Sequence, residues 1–253
     1  MKLISLNIWE GELYQPLVDF LNKYSSNTDI FCFQEVYKNE EGVRILNSEK
    51  IVTFDLLKEV FKNHNGYFED YVAPGDYNKQ GLAVFLKKDI EVKNHGELFV
   101  YNPPDMSISD SNPHTLWRNL QYLECNMDDK EFIVANFHGL FDIATKSHKD
   151  DTPDRIEQSR RIKVWLSKHS CPKILCGDFN LWPDTESMKI LEEGMRNLIK
   201  EYSIKSTRSA FFNFPNKFAD YMFVSPGIDV IDFRVLDENV SDHLALYLEF
   251  ENA

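Results

Sequence analysis

The stretch KILCGDFN, from Lys173 to Asn180, is the part of this sequence that says most about its fold. A short apolar run that ends in Gly and then a carboxylate predicts a buried strand with Asp178 at its C-terminal end. In α/β sheets that end is where ligands bind. A similar pattern returns near the end of the chain, where Ser241-Asp242-His243 precedes another strand-like run. The two patterns together favour an α/β fold with a site at its strand ends.

The composition of the whole chain fits a single folded unit. Of 253 residues, 43% are hydrophobic and 13% aromatic, which is ample for a buried core. Strand and helix patterns alternate without a Gly-, Pro- or Ser-rich linker, which predicts one domain over residues 1–253. The net charge of −13 disfavours tight, sequence-independent binding of a polyanion such as DNA.

The location and assembly of the chain are also expectations from sequence. The first residues form neither a basic region nor a long apolar run, so we expect no signal peptide. No apolar stretch reaches the roughly 18 residues that a membrane-spanning helix needs. We therefore expect a cytoplasmic monomer that does not insert into membranes.

Apolar or alternating segments predict the strands Lys2–Ile8, Asp29–Gln34, Gly81–Leu86, Leu120–Cys125, Glu131–Phe137, Lys173–Cys176, Tyr221–Val224, Val230–Val235 and Leu244–Phe250. Helices are predicted to begin near Pro16, Thr152 and Thr185, where capping residues or proline precede amphipathic segments. In the second helix Arg155, Arg160 and Arg161 are predicted to form a solvated face. Interleaved strands and helices of this kind are typical of α/β domains.

Polar side chains recur at the ends of the predicted strands. A single polar strand end is weak evidence for function, but several strands that pair into one core would bring their ends to a common rim. The side chains concerned are Asn7, Glu35, His138, Asp178, Asn180, Asp220, Asp242 and His243. Carboxylates, amides and histidines at one rim are suited to binding a metal ion and a phosphate.

The same residues lie in motifs that resemble the endonuclease/exonuclease/phosphatase superfamily of DNase I-like nucleases, inositol polyphosphate phosphatases and sphingomyelinases. The motifs follow the family's order from residue 3 to residue 250. They are Leu6-Asn7-Ile8, Phe33-Gln34-Glu35-Val36, Asn136-Phe137-His138-Gly139, Gly177-Asp178-Phe179-Asn180, Phe218-Ala219-Asp220-Tyr221 and Ser241-Asp242-His243. The resemblance implies a four-layer α/β sandwich, with two mixed β-sheets packed face to face and helices outside.

The resemblance also implies a divalent cation, Mg²⁺ with Mn²⁺ as a substitute, held by Glu35, Asn7 and Asp242. Hard oxygen ligands suit Mg²⁺, which takes one or two carboxylates and keeps several waters. Several nuclease branches have a second carboxylate two positions after the first-strand Asn. Here that position is Trp9, and Glu10 follows it.

The remaining roles that the resemblance implies are catalytic. Asp178 would orient or deprotonate the attacking water, and Asn180 would hold a non-bridging phosphate oxygen. His243, hydrogen-bonded to Asp220, would contact the phosphate or transfer a proton. His138 is a candidate to assist the leaving group.

Charge balance supports a phosphoester site independently of the resemblance. Four carboxylates in one pocket would raise one another's pKa unless cations balanced them. One Mg²⁺ and one protonated histidine contribute +3 against −4, so this count requires at least one bound cation. Basic side chains that could contact substrate phosphate are Arg118, Arg208 and His114.

Three functions remain open on the sequence. The first is a divalent-metal-dependent phosphoesterase that hydrolyses phosphodiesters, with a nucleic acid or nucleotide as the substrate. The second is a phosphatase or phosphodiesterase of a small phosphorylated molecule or lipid head group, which the acidic charge favours. The third is a non-catalytic phosphate-binding module, which the complete set of polar strand-end residues disfavours.

Overall fold

The computed structural model describes residues 1–38, 45–46, 49–50, 53–70, 79–101, 118–141, 148–215 and 217–252. Within them the strands are β1 (Lys2–Asn7), β2 (Ile30–Lys38), β3 (Ile45–Leu46), β4 (Glu49–Lys50), β5 (His64–Asp70), β6 (Lys79–Lys87), β7 (Glu91–Tyr101), β8 (Arg118–Met127), β9 (Lys130–His138), β10 (Lys173–Asp178), β11 (Arg196–Asn197), β12 (Asp220–Val224), β13 (Ile228–Val235) and β14 (Leu246–Asn252). The helices are a 3₁₀ turn (Trp9–Gly11), α1 (Tyr14–Ser25), α2 (Phe54–Val60), α3 (Pro153–Leu166), α4 (Glu186–Glu192) and α5 (Leu198–Glu201).

Two six-stranded sheets form the centre of the fold. The first has the order β13-β14-β1-β2-β6-β5 and the second the order β11-β12-β10-β9-β8-β7. Each contains one parallel pair, β1 with β2 and β9 with β10, and its other neighbours are antiparallel. Each parallel pair lies inside its sheet, so the ends of its two strands lie side by side at one edge.

Alternating side chains of the inner strands explain the layers. In β2, Cys32 packs with residues of the second sheet, whereas Phe31 and Phe33 pack beneath α1 and α2. The second sheet is covered on its other face by α3 and α4, through residues such as Ile162 and Leu191. Strands that are buried on both faces read as continuous apolar runs. The predicted α/β sandwich of two mixed sheets with outer helices is confirmed.

Buried amides join the two sheets. Gln34 Nε2 on β2 donates to Asn136 Oδ1 on β9 at 2.7 Å, and Asn136 Nδ2 donates to Phe33 O at 3.0 Å. Buried polar groups need such partners, because an unpaired one costs about 1–3 kcal/mol. These bonds fix the relative register of the two parallel pairs.

Capping residues begin the helices as the sequence predicts. Thr152 Oγ1 accepts from Arg155 N at the start of α3, and Thr185 Oγ1 accepts from Met188 N at the start of α4. The prediction that Arg155 is solvated is wrong, since its side chain is fully buried. The described helices include none that is both long and apolar enough to cross a bilayer.

Five of the described strands escaped prediction, namely the two-residue strands β3, β4 and β11 and the longer strands β5 and β7. β5 and β7 each end the order of a sheet. Much of β7 is exposed, as in Glu91 and Asn94, so its sequence lacks the apolar alternation of a half-buried strand. Exposed polar edges are common because they discourage pairing with other chains.

Candidate active site

The ends of the two parallel pairs bring the predicted polar residues together. Asn7 ends β1, His138 ends β9 and Asp178 ends β10. Asp178 is the register partner of His138 on one side and of Asp220 on the other. Because register fixes which strand ends are neighbours, these side chains gather at one rim, as the sequence predicts.

Glu35 reaches this rim through an irregularity in β2. The pairing of β2 with β6 shifts register between Phe33 and Val36, and Glu35 has a φ of 59°. A non-glycine residue in this left-handed region costs about 1–2 kcal/mol, and bulges of this kind commonly re-aim a side chain beside an active site. The backbone of Glu35 is therefore strained at the point where its carboxylate joins the site.

Asn7 holds two carboxylates together. Its Oδ1 accepts from Trp9 N at 2.9 Å, so its Nδ2 faces the other way. That nitrogen donates to Glu35 Oε1 at 2.9 Å and to Asp178 Oδ2 at 3.1 Å. In this arrangement Asn7 offers hydrogen-bond donors to the carboxylates and not an oxygen to a metal.

A compact group of possible metal ligands consists of Glu35, His138 and Asp178. One ligand atom from each lies within 4.8 Å of the other two. Two carboxylates suit Mg²⁺ or Mn²⁺, and an imidazole is compatible with Mn²⁺ and other transition metals. The donor set therefore fits a divalent cation. A bound cation would neutralise charge on a phosphoryl group.

Asp242 lies with a different partner. Its Oδ2 accepts from Arg208 Nη1 at 2.6 Å, and its Oδ1 is 3.6 Å from His243 Nε2. The geometry thus groups Glu35 with His138 and Asp178, whereas the resemblance assigns Glu35, Asn7 and Asp242 to the metal. The latter assignment stays a prediction.

His243 is held by Asp220, as expected. Nδ1 of the ring is 2.9 Å from both carboxylate oxygens of Asp220, and Nε2 is 3.5 Å from Asp178 Oδ2. Burial and the Arg208 guanidinium lower the pKa of His243, but Asp220, Asp178 and Asp242 outweigh them and raise it overall.

Arg208 occupies the other ring nitrogen of His243. Its Nη1 lies within hydrogen-bond distance of His243 Nε2, and its guanidinium stacks 4.2 Å from the Phe212 ring centroid. A guanidinium can only donate, so Nε2 accepts, and Nδ1 carries the hydrogen that it donates to the Asp220 carboxylate. Protonation of His243 would therefore require Arg208 to move away from Nε2.

Asp178 is an ionised carboxylate at the centre of the site. Burial raises the pKa of the Asp178 carboxyl. Electrostatic attraction to His243, Lys149 and His138 lowers it by more than burial raises it, so the resulting pKa lies well below the ordinary value. Its Oδ1 accepts from Asn180 N at 2.9 Å. Such a weak base is better suited to orienting water through a hydrogen bond than to removing its proton.

His138 is neutral at physiological pH. Burial first, and the charge of Arg118 second, lower its pKa to about 3. Arg118 is itself buried at the start of β8, where its Nε donates to Gly139 O at 3.1 Å. A neutral His138 could assist a leaving group only by donating its N–H and not as an imidazolium acid.

Lys149 is a residue of the site that the sequence did not reveal. It lies in a polar stretch, yet its side chain is 1% exposed and its Nζ is 2.6 Å from Asn180 Oδ1. Lys149 and Arg208 add two positive charges that the sequence-based charge balance omitted. That balance was therefore wrong to require a bound cation from the carboxylates alone.

The site opens into a cavity of about 440 Å³. Polar and aromatic residues both line this cavity. Its lining consists of Trp9, Glu10, Glu35, Gln80, Arg118, His138, Phe141, Asp178, Asn180, Arg208, Phe212, Asp242 and His243. Arg118 and Arg208 lie where substrate phosphate could reach them, and His114 falls outside the described residues.

Sequence comparison assigns the family. A model of the Endonuclease/Exonuclease/phosphatase family matches residues 4–243, which is nearly the whole chain. No curated protein sequence matches significantly. The chain belongs to the endonuclease/exonuclease/phosphatase family of metal-dependent phosphoester hydrolases.

Solved structures agree with the fold. A mannosyl-6-phosphatase of Bacteroides thetaiotaomicron has a TM-score of 0.75 at 19% identity, with 99% of both chains covered. The catalytic domain of human Nocturnin, with a bound sulfate anion, has a TM-score of 0.65 at 20% identity, covering 100% of this chain and 93% of that one. Truncated Caenorhabditis elegans TDP2 has a TM-score of 0.66 at 16% identity, covering 98% and 96%. At these identities the likeness concerns the fold.

Proposed function

We propose that this phosphoesterase hydrolyses phosphodiester bonds of a nucleotide or nucleic acid with the help of Mg²⁺, for which Mn²⁺ can substitute. The observation that carries the proposal is the convergence of Glu35, His138 and Asp178 with the His243–Asp220 pair at the floor of one cavity. Phosphoester hydrolysis needs neutralised phosphoryl oxygens, an oriented water and a donor for the leaving group. This set can supply each of them.

The roles of the residues follow from their geometry. Asp178 orients the attacking water, and Asn180 donates to a non-bridging oxygen. His243, held by Asp220, contacts the phosphoryl group or transfers a proton at Nε2 when the Arg208 guanidinium has moved away from that nitrogen. His138 assists the leaving group with its neutral N–H. Glu35 holds the cation at the group it forms with His138 and Asp178. The assignment of Asp242 and Asn7 to the cation stays a prediction from the family resemblance.

The walls of the cavity favour an aromatic substituent on the phosphate. Trp9, Phe141 and Phe212 line it, and Phe141 is 43% exposed. A nucleobase stacks on such side chains with about 1–3 kcal/mol per base. Arg118 and Arg208 are the arginines among the residues that line the cavity.

A small phosphorylated molecule or lipid head group is the second candidate. The net charge of −13 disfavours a long polyanion, and a monoester of a small molecule needs fewer contacts. One structural neighbour is a mannosyl-6-phosphatase by name. A non-catalytic phosphate-binding module is the least favoured function, because the polar set at the strand ends is complete.

A substrate panel tests the proposal. The panel contains bis-p-nitrophenyl phosphate, p-nitrophenyl phosphate, oligonucleotides, plasmid DNA, sugar phosphates and inositol phosphates, each with Mg²⁺, Mn²⁺ or EDTA. We expect diester turnover that EDTA abolishes and Asp178→Asn lowers by about 10²–10⁴-fold. Preference for monoesters would favour the second candidate. Absence of all turnover would favour a binding module.

A further inference from the structure

The segment from His148 to Asp151 is fixed on three sides. Asp150 O and His148 O accept from Arg155 Nη1 and Nη2, at 2.5 and 2.9 Å. Lys149 O accepts from Trp182 N at 3.0 Å. The carboxylate of Asp151 caps α4 by accepting from Ser187 N at 3.1 Å. The backbone on both sides of Lys149 is therefore held by α3, by the segment after β10 and by α4.

Arg155 connects this segment to the end of β9. Its Nε and Nη2 donate to Leu140 O at 3.1 and 3.0 Å, and Leu140 follows shortly after His138. A buried guanidinium costs several kcal/mol unless its donors are used. Here they bind backbone carbonyls of Leu140, His148 and Asp150, so Arg155 ties the segment that bears Lys149 to the strand that bears His138.

The side chain of Lys149 decides which way Asn180 faces. The ammonium group has donors only, so the amide oxygen of Asn180 must point toward it, at 2.6 Å. The amide nitrogen then faces the other way, where its nearest acceptor is Gly139 O at 3.4 Å. The backbone of Asn180, with a φ of 55°, is held by Asp178 Oδ1. Lys149 thus fixes Nδ2 as the donor end of the Asn180 amide, and Asn180 is one of the residues that line the cavity.

The energetics favour a functional reason for a lysine here. Burial lowers the pKa of Lys149 to about 8, because keeping the ammonium charged inside the protein costs free energy. The carboxylates of Asp178 and Asp220 offset part of this cost. The structure keeps the ammonium where it contacts a residue of the site.

We propose that Lys149 is a positioning residue that fixes the Asn180 amide as a hydrogen-bond donor to the phosphoryl group of the substrate. The inference rests on the phosphoester hydrolysis and on the role of Asn180 proposed above. The competing explanation is that Lys149 only neutralises the charge of Asp178. The two differ in whether Lys149 acts through Asn180.

A double-mutant cycle separates the two explanations. We would measure kcat and KM for bis-p-nitrophenyl phosphate, and Kd for inorganic phosphate, in Lys149→Met, Asn180→Ala and the double variant. Loss of one donor to a phosphoryl oxygen lowers kcat about 10²–10³-fold. We expect Lys149→Met to lower it at least tenfold, and the double variant to match Asn180→Ala within about twofold. Exposed Lys168→Met is the matched control and should be unchanged.

Other outcomes have distinct meanings. Losses that multiply in the double variant, in both kcat and phosphate Kd, would overturn the proposal in favour of a general charge effect. Full activity of Lys149→Met would also overturn it. If Lys149→Met fails to fold by circular dichroism, Lys149→Gln replaces it as the test, because it keeps an N–H donor for Asn180 and removes only the charge. Wild-type kcat in Lys149→Gln would support the proposal, and loss of activity in a folded Lys149→Gln would overturn it in favour of a charge effect. An inactive wild type that binds phosphate would instead contradict the proposed function, and the phosphate cycle would still test Lys149.

Discussion

Replacing Glu35 by glutamine should stabilise the metal-free protein while it abolishes activity. Burial raises the pKa of the Glu35 carboxyl from 4.5 to about 7, against a smaller opposite effect of the Asn7 hydrogen bond. This difference in pKa between the unfolded and the folded state corresponds to at most about 3 kcal/mol of the free energy of unfolding. The side chain keeps 22% of its surface exposed, and water there screens the charge, so we expect about 1–3 kcal/mol.

The sign of the effect follows from proton linkage. Between pH 4.5 and 7 the folded state retains a proton on Glu35 that the unfolded state has released. The wild type therefore loses stability as pH rises through this window, and the loss is complete above it. Glu35→Gln cannot ionise, so its stability relative to the wild type should rise by about 1–3 kcal/mol between pH 5 and pH 8.

Urea unfolding in EDTA at several pH values measures this difference. The free energy of unfolding of Glu35→Gln minus that of the wild type should grow with pH. Glu251→Gln, a substitution at an exposed glutamate of β14, should show no such growth. Saturating Mg²⁺ should reduce or reverse the difference, because the cation stabilises only the carboxylate form. A difference that is flat with pH, or a less stable Gln variant at pH 8 in EDTA, would refute the reasoning.

Two further substitutions test the site and its support. Asp220→Asn should lower kcat about 10²-fold. It should also move the acidic limb of the pH–rate profile to lower pH, because His243 loses a carboxylate that raises its pKa. An unchanged profile would contradict a role for the His243–Asp220 pair in catalysis. Gly177→Ala should destabilise the protein by more than about 3 kcal/mol in urea, because Gly177 has a φ of 137° and a Cβ there would lie 1.9 Å from Phe137 O. Gly194→Ala, where a Cβ meets nothing within 4 Å, should cost only about 1 kcal/mol.

Residues at the ends of buried strands were predictable because their neighbours carry a strong signal. Asp178 and His138 each end a largely apolar strand segment, so their strand and their position at its end can be read directly. Parallel pairing then brings such ends together without any knowledge of the contacts. The sandwich was predictable through the order of the motifs.

Residues outside strands were not predictable in the same way. Lys149 lies among Ser147, His148 and Asp150, a composition typical of a solvated loop. Its burial depends on Arg155, and the burial of Arg155 depends on backbone carbonyls that no side-chain pattern encodes. Both residues are buried by contacts between distant segments.

Local backbone geometry was the other missing information. The pairing of Glu35 with Asn7 depends on a bulge and a φ of 59° at a non-glycine residue, which sequence patterns do not indicate. The amide orientation of Asn7 likewise depends on the N–H of Trp9. The strand-end residues of the site were therefore predictable, as was the bond between His243 and Asp220. The hydrogen-bond partners of Asn7 were not.

The most direct test of the account is the divalent-cation dependence of phosphodiester hydrolysis. The kcat/KM for bis-p-nitrophenyl phosphate would be measured in EDTA and across a Mg²⁺ titration, for the wild type, Glu35→Gln and Glu251→Gln. We expect EDTA to abolish wild-type and Glu251→Gln activity, Mg²⁺ to restore both, and Glu35→Gln to stay inactive. Hydrolysis that persists in EDTA, or full activity of Glu35→Gln, would contradict it.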